Sequence, residues 1–326
     1  MNIHQKLKSI NLQRYPFLLS LFIMIGLLTI NALLQDSFFY TGVLSSTFRS
    51  FLPLILVAVG QAFIILGSDI DLSIGSIISL TNVSIVQMIG IFGQTPSGVV
   101  LAMFLGLLIA TAAGFINGVL ISYFRLTPII TTFATGTVFA GFALWVMPSP
   151  GGEVPRFYYE IYSGGIVGLP MVLWIIGALF LIHGLFIRKT KFYRYLFATG
   201  GDKEAAFQSG VPVQRIRVLT YTLGGLFAGL ATLCIIGETA SGDPLMGPSY
   251  TLNSISAVVL GGTALAGGIG GIIGSVFGAI IMETVNNVIF FARVPIVVQT
   301  LLQGIIVIVA LAIGGLSTKR GTKNAN

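Results

Sequence analysis

The sequence predicts an all-α integral membrane protein of about ten transmembrane helices, and three observations carry that prediction. Hydrophobic residues make up 55% of the chain and charged residues only 8%, against about 25% charged in an ordinary soluble domain. Polar groups are too few to cover a globular surface, so the solvent for most of that surface is lipid. Apolar runs of spanning length, roughly 20 residues for a hydrocarbon core of about 30 Å, fall near 16–34, 50–67, 72–92, 98–122, 128–147, 166–187, 216–237, 253–268, 270–291 and 295–315. Lysine and arginine cluster beside these runs, which orients each crossing. In a chain of 326 residues ten spans leave little for a soluble domain, so 1–326 reads as a single transmembrane domain.

Taken in order, the elements acquire sides. Lys6, Lys8 and Arg14 precede the first run, which has spanning length and no small-x-small cleavage site, so it reads as a retained helix with a cytoplasmic N-terminus. The stretch 188–217 holds Arg188, Lys189, Lys191, Arg194, Lys203, Arg215 and Arg217, and Lys319, Arg320 and Lys323 follow the last run; both are expected in the cytoplasm. The segments 148–164 and 238–252 are poor in Lys and Arg and carry Glu153, Glu160, Glu238 and Asp243, so they read as external. Both termini inside requires an even number of crossings. The weakest run, 253–268, is short and interrupted by glycine, and it is expected to cross as a broken segment.

Two carboxylates interrupt this apolar pattern, in "GSDIDLSIGS" at 67–76. A charge at the centre of a bilayer costs about 2.5–3.5 kcal/mol on insertion scales. The run from Pro53 to Gly67 is too short for a full crossing, so the turn is expected at or just inside the cytoplasmic boundary. Asp71 is then placed to cap a helix starting at Leu72, where free N–H groups and the helix dipole stabilise a carboxylate, and Ser73 adds a polar group there. Asp69 has no such role and is expected to reach headgroup water. The alternative makes Asp69 and Asp71 the ion site of an ion-coupled secondary transporter, because intramembrane carboxylates are functional candidates.

The remaining motifs argue for transport and against chemistry. Ala102, Gly106, Ala110, Gly114 and Gly118, and again Gly270, Gly274 and Gly278, recur every fourth residue, as in close-packed membrane helices. "GFINGVLISYFRLTPII" (114–130) resembles "ETVNNVIFFARVPIVV" (283–298), and the assigned sides make these copies inverted, with halves at about 50–147 and 216–315. The net charge of +7 follows from the juxtamembrane basic clusters and does not imply nucleic acid. Cys234 reads as a packing residue, His4 and His183 are isolated, and no metal site is expected. "GGTALAGGIGG" (261–271) lacks the Gly-Lys-Ser/Thr ending of a phosphate loop. No Walker A sequence, GxSxG elbow or HExxH helix occurs, so the chain is not expected to be an enzyme. Polar residues on apolar runs, namely Gln61, Asn82, Asn117, Thr131, Thr132, Asn253, Ser254, Asn286 and Asn287, are candidates for a pathway or for interhelical hydrogen bonds.

Between the sixth and seventh runs, "YLFATGGDKEAAFQSGVPVQRIRVL" (195–219) predicts a short helix over Lys203–Ser209, capped by Asp202 and ended by Gly210 and Pro212. This stretch, with "VGQAFIILGSDIDLSIGSIISL" (59–80), "NGVLISYFRLTPIITTFATG" (117–136) and "ISAVVLGGTALAGGIGGIIGSVFGAII" (255–281), resembles the permease subunits of ribose-type monosaccharide ABC importers along nearly the whole chain. Where that family usually has two glycines before Ile-Asp-Leu-Ser, this chain has Ser68 and Asp69. The resemblance implies a ten-helix permease of the bacterial cytoplasmic membrane, paired with a second copy or a paralogue. It implies a separate ATPase that binds the ATP, this chain holding no cofactor, and an extracytoplasmic sugar-binding protein. It also implies that 200–212 contains a coupling helix seated on the ATPase, carried over to Gly200, Gly201, Glu204, Ala205, Ala206, Ser209 and Gly210.

Overall fold

The computed structural model describes residues 17–295 apart from 36, 167 and 168, together with 298, 299, 301, 302, 304, 305 and 308. In chain order the helices are α1 (Phe17–Leu34), α2 (Thr41–Leu66), α3 (Ile74–Phe92), α4 (Pro96–Ser122), α5 (Pro128–Val146), α6 (Arg156–Ser163), α7 (Met171–Leu181), α8 (Lys191–Gly201), α9 (Lys203–Gln208), α10 (Val213–Thr239), α11 (Pro248–Leu260) and α12 (Ile272–Phe291). A π turn at Ile182–Phe186 and a 3₁₀ turn carry α7 on to Lys189. Among the described residues, seven helices are long and apolar enough to cross a membrane: α2, α3, α4, α5, α7 with its continuation, α10 and α12.

Local chemistry sets the starts. Proline stands at the first turn of α4, α5 and α11, where its missing N–H would have had no intrahelical partner. The Thr95 hydroxyl accepts the Gly98 N–H at 3.2 Å to cap α4. The similar stretches 114–130 and 283–298 share their punctuation. Arg125 follows α4 and Arg293 follows α12, both at φ +56°, each a few residues before a proline.

Three apolar runs are bounded differently from the sequence expectation. The run at 50–67 belongs to a helix that begins at Thr41, because Arg49 is absorbed within it with Nε 3.7 Å from Glu238. The run at 166–187 becomes helical only at Met171, since Gly165–Ile166 and Leu169–Pro170 pair as a small antiparallel ribbon, β1 and β2. The run at 253–268 is helical only to Leu260. Gly262, Gly267, Gly268 and Gly270, all at positive φ, form the loop to α12, so Gly270 lies outside the helical stripe of Gly274 and Gly278. The run at 295–315 lies mostly outside the described residues.

Helix α2 is buried along most of its apolar length and packs against α10, with α11 and α12 around it. Helix α4 lies along α10 through small residues: a β-carbon on Gly118 would sit 2.8 Å from Val218 Cα, and one on Gly114 would sit 3.0 Å from Gly225 Cα. This close approach is what the four-residue stripe supplies. The segments with external charge signatures share one end of the bundle, where Gly151 and Gly242 exchange backbone hydrogen bonds of 2.9 and 2.8 Å. The opposite end gathers the α2–α3 turn, α8, α9 and the loop 261–271.

An internal correspondence organises the core. Ser68 and Ala240 end α2 and α10 in the left-handed region, at φ +63° and +51°. Asp71 Oδ1 accepts the Ser73 N–H at 2.6 Å, and Asp243 Oδ1 accepts the Leu245 N–H at 2.8 Å. The Gly75 N–H then donates to Thr251 Oγ1 at 3.2 Å, and the Gly247 N–H donates to Ser79 Oγ at 3.0 Å. Every pair is separated by one constant offset in sequence. The α2–turn–α3 and α10–turn–α11 units are therefore two copies of one motif, bonded reciprocally at the starts of α3 and α11.

Candidate functional site

The turn holding Asp69 and Asp71 gathers several buried polar groups, among them Gln61, Ser73, Asn117 and Thr132. Asp71 is fully buried, and its Oδ1 accepts both the N–H and the hydroxyl of Ser73 at 2.6 Å. Asn117 Nδ2 donates to Ser73 Oγ at 2.7 Å, Gln61 Nε2 donates to the Asp71 carbonyl at 3.3 Å, and the Leu72 N–H donates to Thr132 Oγ1 at 3.0 Å. Helix α3 begins at Ile74 instead of Leu72. Asp71 therefore holds the turn that leads into the helix, while the Gly75 N–H in the first helical turn is satisfied by Thr251 from the other copy.

Asp69 does not reach headgroup water, contrary to the sequence expectation. It is 4% exposed. Arg217 grips it with two donors, Nε to Oδ2 at 2.8 Å and Nη2 to Oδ1 at 3.0 Å, and Lys203 Nζ lies 2.8 Å from Oδ1. Lys203 also donates to the Ser68 carbonyl at 3.1 Å. Its two cationic partners lie 134 and 148 positions away, which is why local patterning could not pair it.

The proposed coupling stretch packs directly onto this turn. Asp202 Oδ1 accepts the N–H groups of Glu204 and Ala205 at 2.9 and 3.0 Å, capping α9. Gly210, at φ +81°, turns the chain after Ser209. Glu204, Ala205 and Phe207 are exposed while Ala206 is buried. Gly200 presses on the Leu66 carbonyl, and Gly201 lies 2.8 Å from where a β-carbon on Gly268 would sit. The Gly268 N–H donates to the Leu66 carbonyl at 3.1 Å, and a β-carbon on Gly267 would sit 2.6 Å from Ser68 Cβ. The loop 261–271 is thus a packing surface for the end of α2 and the end of α8. A cleft of about 390 Å³ opens beside α9, with Arg125, Lys203, Glu204, Phe207 and Arg217 among its walls.

The candidate pathway residues separate into two groups. Gln61, Asn82 and Asn117 are fully buried and tie elements together: Asn82 Oδ1 accepts the Asp243 N–H at 2.6 Å, and the other two brace the Asp71 turn. Thr131 and Ser254 are buried and donate within their own helices. Asn253, Asn286 and Asn287 are partly exposed, with Asn286 Nδ2 3.4 Å from Glu283. The reciprocal pair Ser79 and Thr251 escaped the sequence reading, although an aspartate four residues before a glycine, at 71/75 and again at 243/247, is a visible signal.

Comparisons with known proteins identify the relatives of the chain. Residues 43–311 match the family described as branched-chain amino acid transport system / permease component. The chain is 36% identical over 259 residues to the ribose import permease protein RbsC of Bacillus subtilis, covering 78% of this chain and 79% of the relative. It is 31% identical over 303 residues to RbsC of Haemophilus influenzae, covering 91% and 93%. It is 33% identical over 260 residues to the L-arabinose ABC transporter permease protein AraH of Azospirillum brasilense, covering 78% and 74%. No solved structure matches the chain. With the family model spanning most of the chain, and relatives above 30% identity over most of its length, this protein belongs to the transport-system permease component family.

Proposed function

We propose that this chain is the permease subunit of a ribose-type ABC importer and forms the membrane pathway for a monosaccharide, a pentose or hexose. The observation that carries the reading is the similarity to ribose import permeases over nearly the full length. In this reading ten segments cross the bacterial cytoplasmic membrane: the seven long helices, α1, the short α11 and the run 295–315. The chain pairs with a second copy or a paralogue, receives sugar from an extracytoplasmic binding protein, and binds no cofactor itself. ATP is hydrolysed on a separate ATPase.

Helix α9 is the element that meets the ATPase, with Gly200, Gly201, Glu204, Ala205, Ala206, Ser209 and Gly210 forming the contact and its supports. Closure of the ATPase pair moves α9, and the α2–α3 and α10–α11 units tilt about their reciprocal bonds, opening the pathway to alternate sides. Asn253, Asn286 and Asn287, which keep some exposure, suit sugar hydroxyls facing a partner permease. The ion-coupled alternative is disfavoured, because Asp69 is already neutralised by two cations. Reconstitution tests the reading: uptake into proteoliposomes requires the ATPase, the binding protein and ATP and ignores an imposed ion gradient. Gradient-driven uptake by this chain alone would refute it.

A further inference from the structure

We infer that Asp69 is a positioning residue for transport: it latches α9 to the α2–α3 turn and to α10, so that the three move as one body. The inference rests on the reading of α9 as the ATPase-facing helix. Its geometry stands independently of that reading.

One carboxylate joins three elements. It sits directly after Ser68, whose φ of +63° ends α2, and two residues before Asp71, which sets the entry to α3. Lys203, the first residue of α9, reaches both Asp69 and the Ser68 carbonyl. Arg217 lies near the start of α10, the helix that corresponds to α2 in the second copy of the motif, and binds Asp69 through two donors.

The burial gives the latch its strength. The Asp69 side chain is 2% exposed and that of Arg217 15%, so little water replaces either if they separate. Lys203 is 37% exposed, and its hold on the turn comes from donating to both Asp69 and the Ser68 carbonyl. An exposed ion pair contributes little and breaks readily. A buried one resists separation, because each partner would be left as an uncompensated charge in a poorly solvated site. The paired donors of Arg217 also fix orientation as well as distance. A displacement of α9 therefore reaches the ends of α2 and α10 together, and both copies of the internal motif receive the same push. Without the carboxylate, α9 keeps the Lys203–Ser68 bond, the contact of Gly200 and Gly201 with Gly268, and its apolar packing on the start of α10 through Ala206, Val211 and Val213. It loses the one charged group that binds Lys203 and Arg217 together.

The test compares the wild-type permease with Asp69→Asn and with the neutral pair Asp69→Asn/Arg217→Gln. The pair removes the stranded arginine charge that the single change creates, and so separates loss of folding from loss of the latch. In the reconstituted complex with ATPase and binding protein, the neutral pair assembles but takes up less than about a tenth as much sugar per ATP hydrolysed as the wild type. A ratio within twofold of wild type would overturn the inference, since a purely structural ion pair is replaced by a neutral one without cost to coupling. Hydrogen exchange on the permease alone in nanodiscs supplies the second reading. The amides of 205–211 exchange at least tenfold faster in the neutral pair while those of the α4 interior do not change. Unchanged exchange at 205–211 would also overturn the inference, whatever the complex transports. If the wild-type complex takes up no sugar, the importer reading fails and the exchange result alone decides the latch.

Discussion

Gly75 and Gly247 lie back to back, the carbonyl oxygen of each occupying the space in which a β-carbon on the other would sit. Neither contact is with a flexible side-chain end, so neither can yield without moving backbone. Gly75→Ala and Gly247→Ala are each expected to destabilise the permease by about 1–3 kcal/mol or more, the usual cost of overpacking. Gly141→Ala, with nothing within 4 Å of the added carbon, should be neutral or slightly stabilising. Thermal unfolding midpoints of the purified permease in one detergent check the contrast, and equal midpoints for all three would contradict it.

The bonds beside these glycines make a paired prediction. Ser79→Ala removes the acceptor for the Gly247 N–H, and Thr251→Val removes the acceptor for the Gly75 N–H. Each change should cost about 0.6 kcal/mol, the average for hydrogen bonds between membrane helices, and at most about 1.7 kcal/mol. Because the two sites are copies of one arrangement, the losses should be similar. Unfolding free energies that differ by more than about 2 kcal/mol would show that the copies are not equivalent.

At the α9 cap, Asp202→Ala removes an oxygen that accepts two backbone N–H groups and should cost the helix about 1 kcal/mol, while Asp202→Asn keeps the acceptor and most of the stability. Gly210→Ala forces a β-carbon into φ +81°, at a further cost of about 1–2 kcal/mol. Faster hydrogen exchange over 203–210 in the alanine variants, and near wild-type exchange in Asp202→Asn, is the expected order.

Glu204 is exposed on α9, so Glu204→Lys should leave the fold intact. Under the proposed coupling role it nonetheless abolishes ATP-driven uptake. Normal uptake with the lysine in place would remove Glu204 from the ATPase contact.

For Asp71 the fold depends on an acceptor more than on a charge. Asp71→Asn keeps an oxygen for the Ser73 N–H and hydroxyl and should retain ATP-driven uptake within about threefold. Asp71→Leu leaves both donors unpaired in a dry site, at about 1–3 kcal/mol each, and should fail to yield folded permease. Loss of uptake in well-folded Asp71→Asn would revive the ionised carboxylate as a transport group.

What could be read from the chain and what could not divide along range. The Asp202 cap, the α9 helix and the Gly210 turn were legible because each is made by residues a few positions apart. The all-α membrane class was legible because it follows from composition and run length. Asp69 was read as a solvated charge because its partners lie on α9 and α10, and no local pattern announces them. Gln61 and Asn117 stayed open between pathway lining and interhelical hydrogen bonds, because an amide on an apolar run has the same signature whether it meets a sugar or a neighbouring element; they make the latter. The run at 50–67 stops short of the true helix start because Arg49, whose partner Glu238 is far along the chain, lies inside the helix. The glycine loop resembled a ligand cradle, yet its positive-φ residues serve the close approach of backbone to backbone at Leu66, Ser68 and Gly201.

The reciprocal bonding of Ser79 to Gly247 and of Thr251 to Gly75 also bears on how the chain can change over generations. A duplicated motif whose copies fold apart can drift separately, each accumulating its own substitutions. Here each copy supplies the atoms that complete the other, so a tolerated replacement at 79 must suit the backbone at 247, and one at 251 must suit 75. The oldest surviving trace of the duplication is therefore expected at these four positions, linked across the two halves as correlated changes, even where the helices on either side no longer resemble one another.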